Sequence, residues 1–214
     1  MAEQKKRIKK QSKRAQEIDH ADRLRLLLEE TQAFCRAVGL HENLIVEIAK
    51  ADNDWAFILK IEALIETGAR EIVRHGLKIK LLNRVISNDA LHDFVDTLPM
   101  NGRTSILKLL DASGLPPEEL GFVEAILRVR NAYAHNIRFA DVSLIDLVKQ
   151  RPDKAHLLKH LSAIKNYDEA KLIQMYEKDG GFLRFGILDS AMRFLFFAYH
   201  LAAKHRPPIA AAPH

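Results

Sequence analysis

The stretch from Asp54 to His75, DWAFILKIEALIETGAREIVRH, decides the fold. Its apolar side chains, among them Phe57, Ile58, Ile61, Leu64, Ile65, Ile72 and Val73, recur three and four positions apart and wrap a wide arc. That is the pattern of a helix with neighbours on more than one side. Asp52, Asn53 or Asp54 can cap its start, and Gly76 reads as its stop. No segment of the chain shows a convincing alternation of polar and β-branched residues, the mark of a half-buried strand. The expectation is an all-α protein with this segment as its central helix.

The same spacing recurs on both sides of it. A first helix is expected over about Gln16 to Val38, with Leu24, Leu27, Leu28, Thr31, Phe34, Cys35 and Val38 as its stripe and Gly39 ending it. A short helix follows near Glu42 to Ala51. After the central helix come short helices near Lys78 to Ile86 and Ala90 to Leu98, then a turn at Pro99-Met100-Asn101-Gly102. Thr104 to Asp111 reads as helical, and Ala112-Ser113-Gly114-Leu115-Pro116-Pro117 breaks it. Pro117, Glu118 and Glu119 open the next helix, because proline tolerates the first turn and carboxylates suit the positive end of the dipole. Asp141 to Lys149, Lys154 to Ile164, Asp168 to Lys178 and Gly181 to His205 complete the set. The organisation expected is a basic disordered arm over 1–14, a helical extension over 15–52, a helical domain over 53–205 and a flexible tail over 206–214.

A chain of 214 residues with 48% hydrophobic content can fill a sizeable core. The lone cysteine, Cys35, cannot form an internal disulfide and reads as a buried helix residue. The basic start lacks the apolar stretch of a secretory signal. The most apolar run, Ala191 to Ala203, contains Arg193 and His200 and is too short to span a bilayer. These features lead to the expectation of a cytoplasmic protein without a membrane partner. The net charge of +5 is concentrated at one end: seven Lys or Arg against Glu3 give residues 1–14 a net +6, leaving the other 200 residues at −1. Lys5, Lys6, Arg7, Lys9 and Lys10 can therefore attract phosphate, while a solvated tail is an equal reading of the same run.

Motifs for nucleotide or acyl chemistry are missing: there is no P-loop, no GxGxxG after a strand and no GxSxG elbow. His156 and His160 share a helix face at the spacing of a zinc pair, but with no evident third ligand and with Lys154 and Lys159 nearby they read as a solvated face. Neither a metal nor a cofactor is expected. Glu62 and Glu66, four apart on a helix dense with charge, read first as ordinary surface groups. Glu62, on the central helix, needs a partner if it faces the core, and Arg70 or Arg74 is within reach along the same helix.

The helix opened by Pro117 runs through Phe122, Val123, Ile126, Leu127 and Val129 into Arg130-Asn131-Ala132-Tyr133-Ala134-His135. Five positions apart, Arg130 and His135 project about 140° from one another on an ideal helix. Asn131 and His135, four apart, are neighbours. Joint action by Arg130 and His135 therefore needs a distorted helix end, the long reach of arginine, or a second copy of the motif across a symmetric interface. The competing reading is an arginine on a helix face and a histidine that suits the negative end of the dipole.

With this motif the chain resembles the HEPN family of α-helical proteins, whose signature is Arg, four residues, then His, commonly with a polar residue after the arginine. Here these are Arg130, Asn131 and His135. The context is similar too: an apolar early helix over Trp55 to Val73, and a helix and turn over Ser105 to Leu115 leading to the motif helix. The likeness spans about residues 50–200 and is closest over about 55–75 and 104–140. It implies a HEPN-like helical bundle with additional N-terminal and C-terminal helices, a homodimer with two motifs facing one cleft, and metal-independent endoribonuclease activity. His135 would move the proton, Arg130 would hold the phosphate, and Asn131 would orient His135 or touch the phosphate. RNA would be cut to a 2′,3′-cyclic phosphate and a 5′-hydroxyl, in a toxin or phage-defence setting with an antitoxin or regulatory partner. Toxin members often carry tyrosine two positions after the histidine, whereas this chain has Ile137. Other members have lost catalysis and serve as regulatory, binding or dimerisation modules, which is the alternative expectation.

Overall fold

The computed structural model describes residues 21–81, 88–162, 164 and 168–203, and among them every regular element is a helix. Helix α1 occupies residues 21–37. It is followed by α2 (Leu44–Ala49), α3 (Asp54–Leu81), α4 (Asn88–Thr97), α5 (Ile106–Ala112), α6 (Pro117–His135), a 3-10 turn (Ile137–Phe139), α7 (Leu144–Lys149), α8 (Lys154–Leu161), α9 (Glu169–Lys178) and α10 (Gly181–Ala203). The all-α expectation holds for the described residues. The basic arm with Lys5, Lys6, Arg7, Lys9 and Lys10, the start of the first helix at Gln16, residues 82–86 of the expected Lys78–Ile86 helix and the tail from 206 lie outside them.

Helix α3 is central because α10, α6, α5, α4 and α2 all pack against it. Phe57, Ile58, Ile61, Leu64, Ile65, Ala69, Ile72 and Val73 are buried along its length, each large apolar side chain contributing on the order of 1.5–3 kcal/mol. Asn53 is its cap: its Oδ1 accepts from the Ala56 amide at 2.8 Å. At Gly68 a Cβ would come within 2.9 Å of both Leu195 and Phe194, so the glycine sets how closely α3 and α10 approach. The buried residues of α1 and α2, including Phe34, Cys35, Ile45 and Ile48, join the same apolar cluster as those of α3, α6 and α10. Cys35 is fully buried, and burial raises its thiol pKa.

Two expectations need correction. Gly76 does not stop the central helix, which continues through it to Leu81. A Cβ there would sit 3.2 Å from Ser113 Oγ, so Gly76 marks where α3 passes the end of α5. Gly39 and Gly114 do follow the ends of α1 and α5, with positive φ of 76° and 79°. The second correction concerns His156 and His160. Their rings lie 4.6 Å apart, and the pair is packed rather than solvated. His160 lies directly on Gly121 of α6, leaving no room for a Cβ, and His156 Nε2 is buried without a hydrogen bond. Burial first, then His156 and Lys159, lower the His160 pKa, with Glu124 and Glu118 opposing.

The crossing of α6 and α8 therefore depends on a missing methyl group. Gly121→Ala is expected to cost about 1–3 kcal/mol by overpacking, partly offset by alanine's better helix propensity. In a His160→Ala background the penalty should vanish, because the ring it collides with is gone. Urea unfolding of the two single variants and the double variant measures this coupling, and additive effects would show that the ring and the glycine do not set the crossing.

Candidate functional site

Helix α6 brings the motif to its C-terminal end while its other face is locked into the core. Phe122, Val123, Ala125, Ile126, Leu127, Val129 and Tyr133 are buried. The helix stays α-helical through His135 and ends at Asn136, whose extended backbone turns the chain away. There is thus no local distortion to carry Arg130 and His135 to one face. Arg130 points back toward α3, and His135 is exposed.

The partner of Arg130 is Glu62. Its Nε lies 3.5 Å from Glu62 Oε2, an ion pair looser than a hydrogen bond. Its Nη1 donates to Asn131 Oδ1 at 3.1 Å. The Arg130 side chain remains 38% exposed, so a guanidinium held at one edge and beside Asn131 still faces solvent. Asn131, expected to orient His135 or to touch the phosphate, has its carbonyl oxygen on Arg130. The His135 side chain makes no hydrogen bond or ion pair among the described residues.

Glu62 is only 6% exposed. Burial raises its pKa, Arg130 opposes that rise, and nearby Glu66 adds to it. The expected partners, Arg70 and Arg74, are committed elsewhere. Arg70 holds Glu66 and donates to the Val95 and Leu98 carbonyls at 2.6 and 3.1 Å. Arg74 pairs with Glu71 and Asp96. Glu66 is correspondingly part-buried rather than an ordinary surface carboxylate.

The segment after His135 is tied down from both sides. Tyr133 donates its hydroxyl to the Val142 carbonyl at 3.0 Å. Asp54 accepts from the Leu144 amide at 2.6 Å and pairs with Arg184, which also donates to the Ala51 carbonyl at 2.8 Å. These contacts fasten the start of α7 to α3 and α10. Between them Ile137 is 77% exposed and Arg138 faces solvent, beside His135.

The sequence signal for Glu62 was its place on the central helix, where a carboxylate turned to the core needs a partner; the spacing pointed to Arg70 or Arg74, not to Arg130. Asp54 as the link between α3, α7 and α10 had no signal beyond its being a possible cap. No metal-binding group of three or more His, Cys, Asp or Glu occurs among the described residues, and no described helix is long and apolar enough to cross a membrane. A mixed cavity of about 500 Å³, lined in part by Glu119, Lys159, His160, Ser162 and Arg193, lies at the opposite end of α6 and includes no motif residue. Comparison with protein-family profiles, curated proteins and solved structures yields no significant match.

Removing Arg130 strands a buried charge. Arg130→Ala is expected to lower stability by about 1–3 kcal/mol at pH 7. Because Glu62 holds its proton more tightly folded than unfolded, the folded state binds more protons across the window above 4.5, and stability there falls as pH rises. Without Arg130 that window extends further upward. The difference between parent and variant should therefore widen as pH rises above 4.5 and close below it, where Glu62 is protonated folded and unfolded alike. Urea unfolding across this range is the measurement; a difference independent of pH would break the link between Arg130 and Glu62.

Proposed function

We propose that the chain is a metal-independent endoribonuclease of HEPN type, acting as a homodimer on RNA. The observation that carries this reading is the Arg130 guanidinium, anchored to the buried Glu62 and still open to solvent at the helix end that exposes His135. An arginine with a free edge suits a phosphate oxygen, through charge-assisted hydrogen bonds that strengthen as negative charge builds up. An exposed imidazole suits proton transfer.

In this scheme the 2′-hydroxyl of one nucleotide attacks the adjacent phosphorus, and the bond to the 5′-oxygen breaks. One His135 accepts the 2′-hydroxyl proton and another donates to the departing 5′-oxygen. The products are a 2′,3′-cyclic phosphate and a 5′-hydroxyl. Arg130 and His135 point to different sides of an undistorted helix, so a second copy supplies the missing half of each site. Asn131 sets the Arg130 guanidinium through its carbonyl oxygen and keeps its amide N–H groups for the phosphate. Lys5, Lys6, Arg7, Lys9 and Lys10 add nonspecific attraction for the RNA backbone. A nuclease of this kind fits a toxin or phage-defence effector restrained by an antitoxin or regulatory protein. The second reading, a noncatalytic HEPN-like dimerisation module, draws support from Ile137, whose exposed side chain next to His135 suits a protein contact.

Cleavage of a labelled RNA in EDTA separates these readings. His135→Ala should lower the rate about 10²- to 10⁴-fold without changing stability, since His135 is exposed and unpaired among the described residues. Wild-type products should end in a cyclic phosphate. Equal cleavage by both proteins, or by neither, counts against the ribonuclease. No cleavage together with a weaker dimer for Arg130→Ala in sedimentation is the outcome expected of the dimerisation module.

A further inference from the structure

Glu62 is placed where stability alone would put an apolar side chain. It sits on the most enclosed helix, and its neighbours along that helix, Ile58, Ile61 and Ile65, are essentially inaccessible to solvent. The charged groups acting on it are Arg130 from α6 and Glu66, one turn along α3. Arg130 does not fully compensate the loss of hydration, since burial still outweighs its attraction. An ion pair of this kind is often matched or exceeded in stability by apolar residues of similar size. A buried group that opposes folding and contacts the half-buried arginine of the motif calls for a role other than holding α3 to α6.

We propose that Glu62 is a positioning residue for Arg130, holding the Nε edge of the guanidinium so that its remaining N–H groups face an RNA phosphate. The inference rests on the ribonuclease reading for the identity of the ligand. Arginine is long and rotamer-rich, and an unheld side chain at a helix end samples many orientations. With Glu62 behind it and Asn131 beside it, the planar fork is confined before the ligand arrives, so less ordering remains on binding. Because Glu62 is rooted in the core while Arg130 lies at the surface, the rigidity of α3 reaches the phosphate through a single ion pair.

The test combines Glu62→Leu and Glu62→Gln with three readouts: thermal midpoint, affinity for a 2′-O-methyl RNA oligonucleotide that cannot be cleaved, and cleavage kinetics on the unmodified RNA. Both variants should keep a midpoint equal to or above wild type, bind the oligonucleotide about tenfold more weakly, and lose about 100-fold in kcat/KM. Adding Arg130→Ala to either should cause little further loss in binding, because the two residues act as one unit. Wild-type affinity and kinetics in both variants would overturn the proposal. So would losses that add to those of Arg130→Ala, or failure of the wild-type protein to bind the oligonucleotide. Glu62-dependent binding without cleavage by wild type would sink the ribonuclease while leaving the positioning role standing. The Gln variant guards against misfolding of Leu, since it changes the charge and little else.

Discussion

The enclosure of α3 governs the structure. With helices packed around it, α3 has little solvent-facing surface on which to place a polar group without a partner. Each polar side chain directed inward must be met by a group from elsewhere, because an unpaired charge in a poorly hydrated site costs several kcal/mol. Three of them show how this is done. Asp54 at the helix start is met by Arg184 of α10 and the Leu144 amide. Glu66 is met by Arg70, which also binds the end of α4. Glu62, in the middle, is met by Arg130 of α6.

These pairings explain how the motif helix is oriented. The apolar stripe of α6 would fit against α3 through van der Waals contact alone, but such contact is non-directional. The ion pair adds direction: Arg130 must face Glu62, which leaves His135, five residues on, facing solvent. Tyr133 and Asp54 then fix where the chain goes next, so the surface around His135, Ile137 and Arg138 rests on a fastened loop. At the other end of α6, Gly121 lets α8 come close enough for His160 to lie on the helix backbone. One helix is thus held at both ends by features that leave its last turn presented to solvent.

The sequence was most legible where a local rule was also the deciding one. The helical period of α3, the opening of α6 at Pro117 and the stops at Gly39 and Gly114 all depend on backbone geometry within a few residues. It was less legible where a residue type serves two purposes. Gly76 reads as a stop and is instead a point of close approach to Ser113, since a small residue answers both needs. His156 and His160 sit among lysines and read as solvated, yet a glycine on a different helix makes room for the His160 ring. Glu62 reads first as a surface carboxylate and is buried; Arg70 and Arg74, the partners its helix offered, are taken by Glu66, Glu71 and Asp96.

By itself the sequence determined that the chain is helical, which segment lies at the centre, and that Arg130, Asn131 and His135 stand together at the end of a helix. Period, capping and breaker residues act over one or two turns, so these features are written locally. Only the tertiary structure decided which charges meet. Glu62 and Arg130 lie on α3 and α6 with α4 and α5 between them in sequence, and their pairing follows from how α3 and α6 pack. The same packing left α6 undistorted through its last turn, and with it the two ends of the motif on different sides of one helix. Burial and charge pairing are properties of the packed assembly, because they depend on which surfaces exclude water from one another.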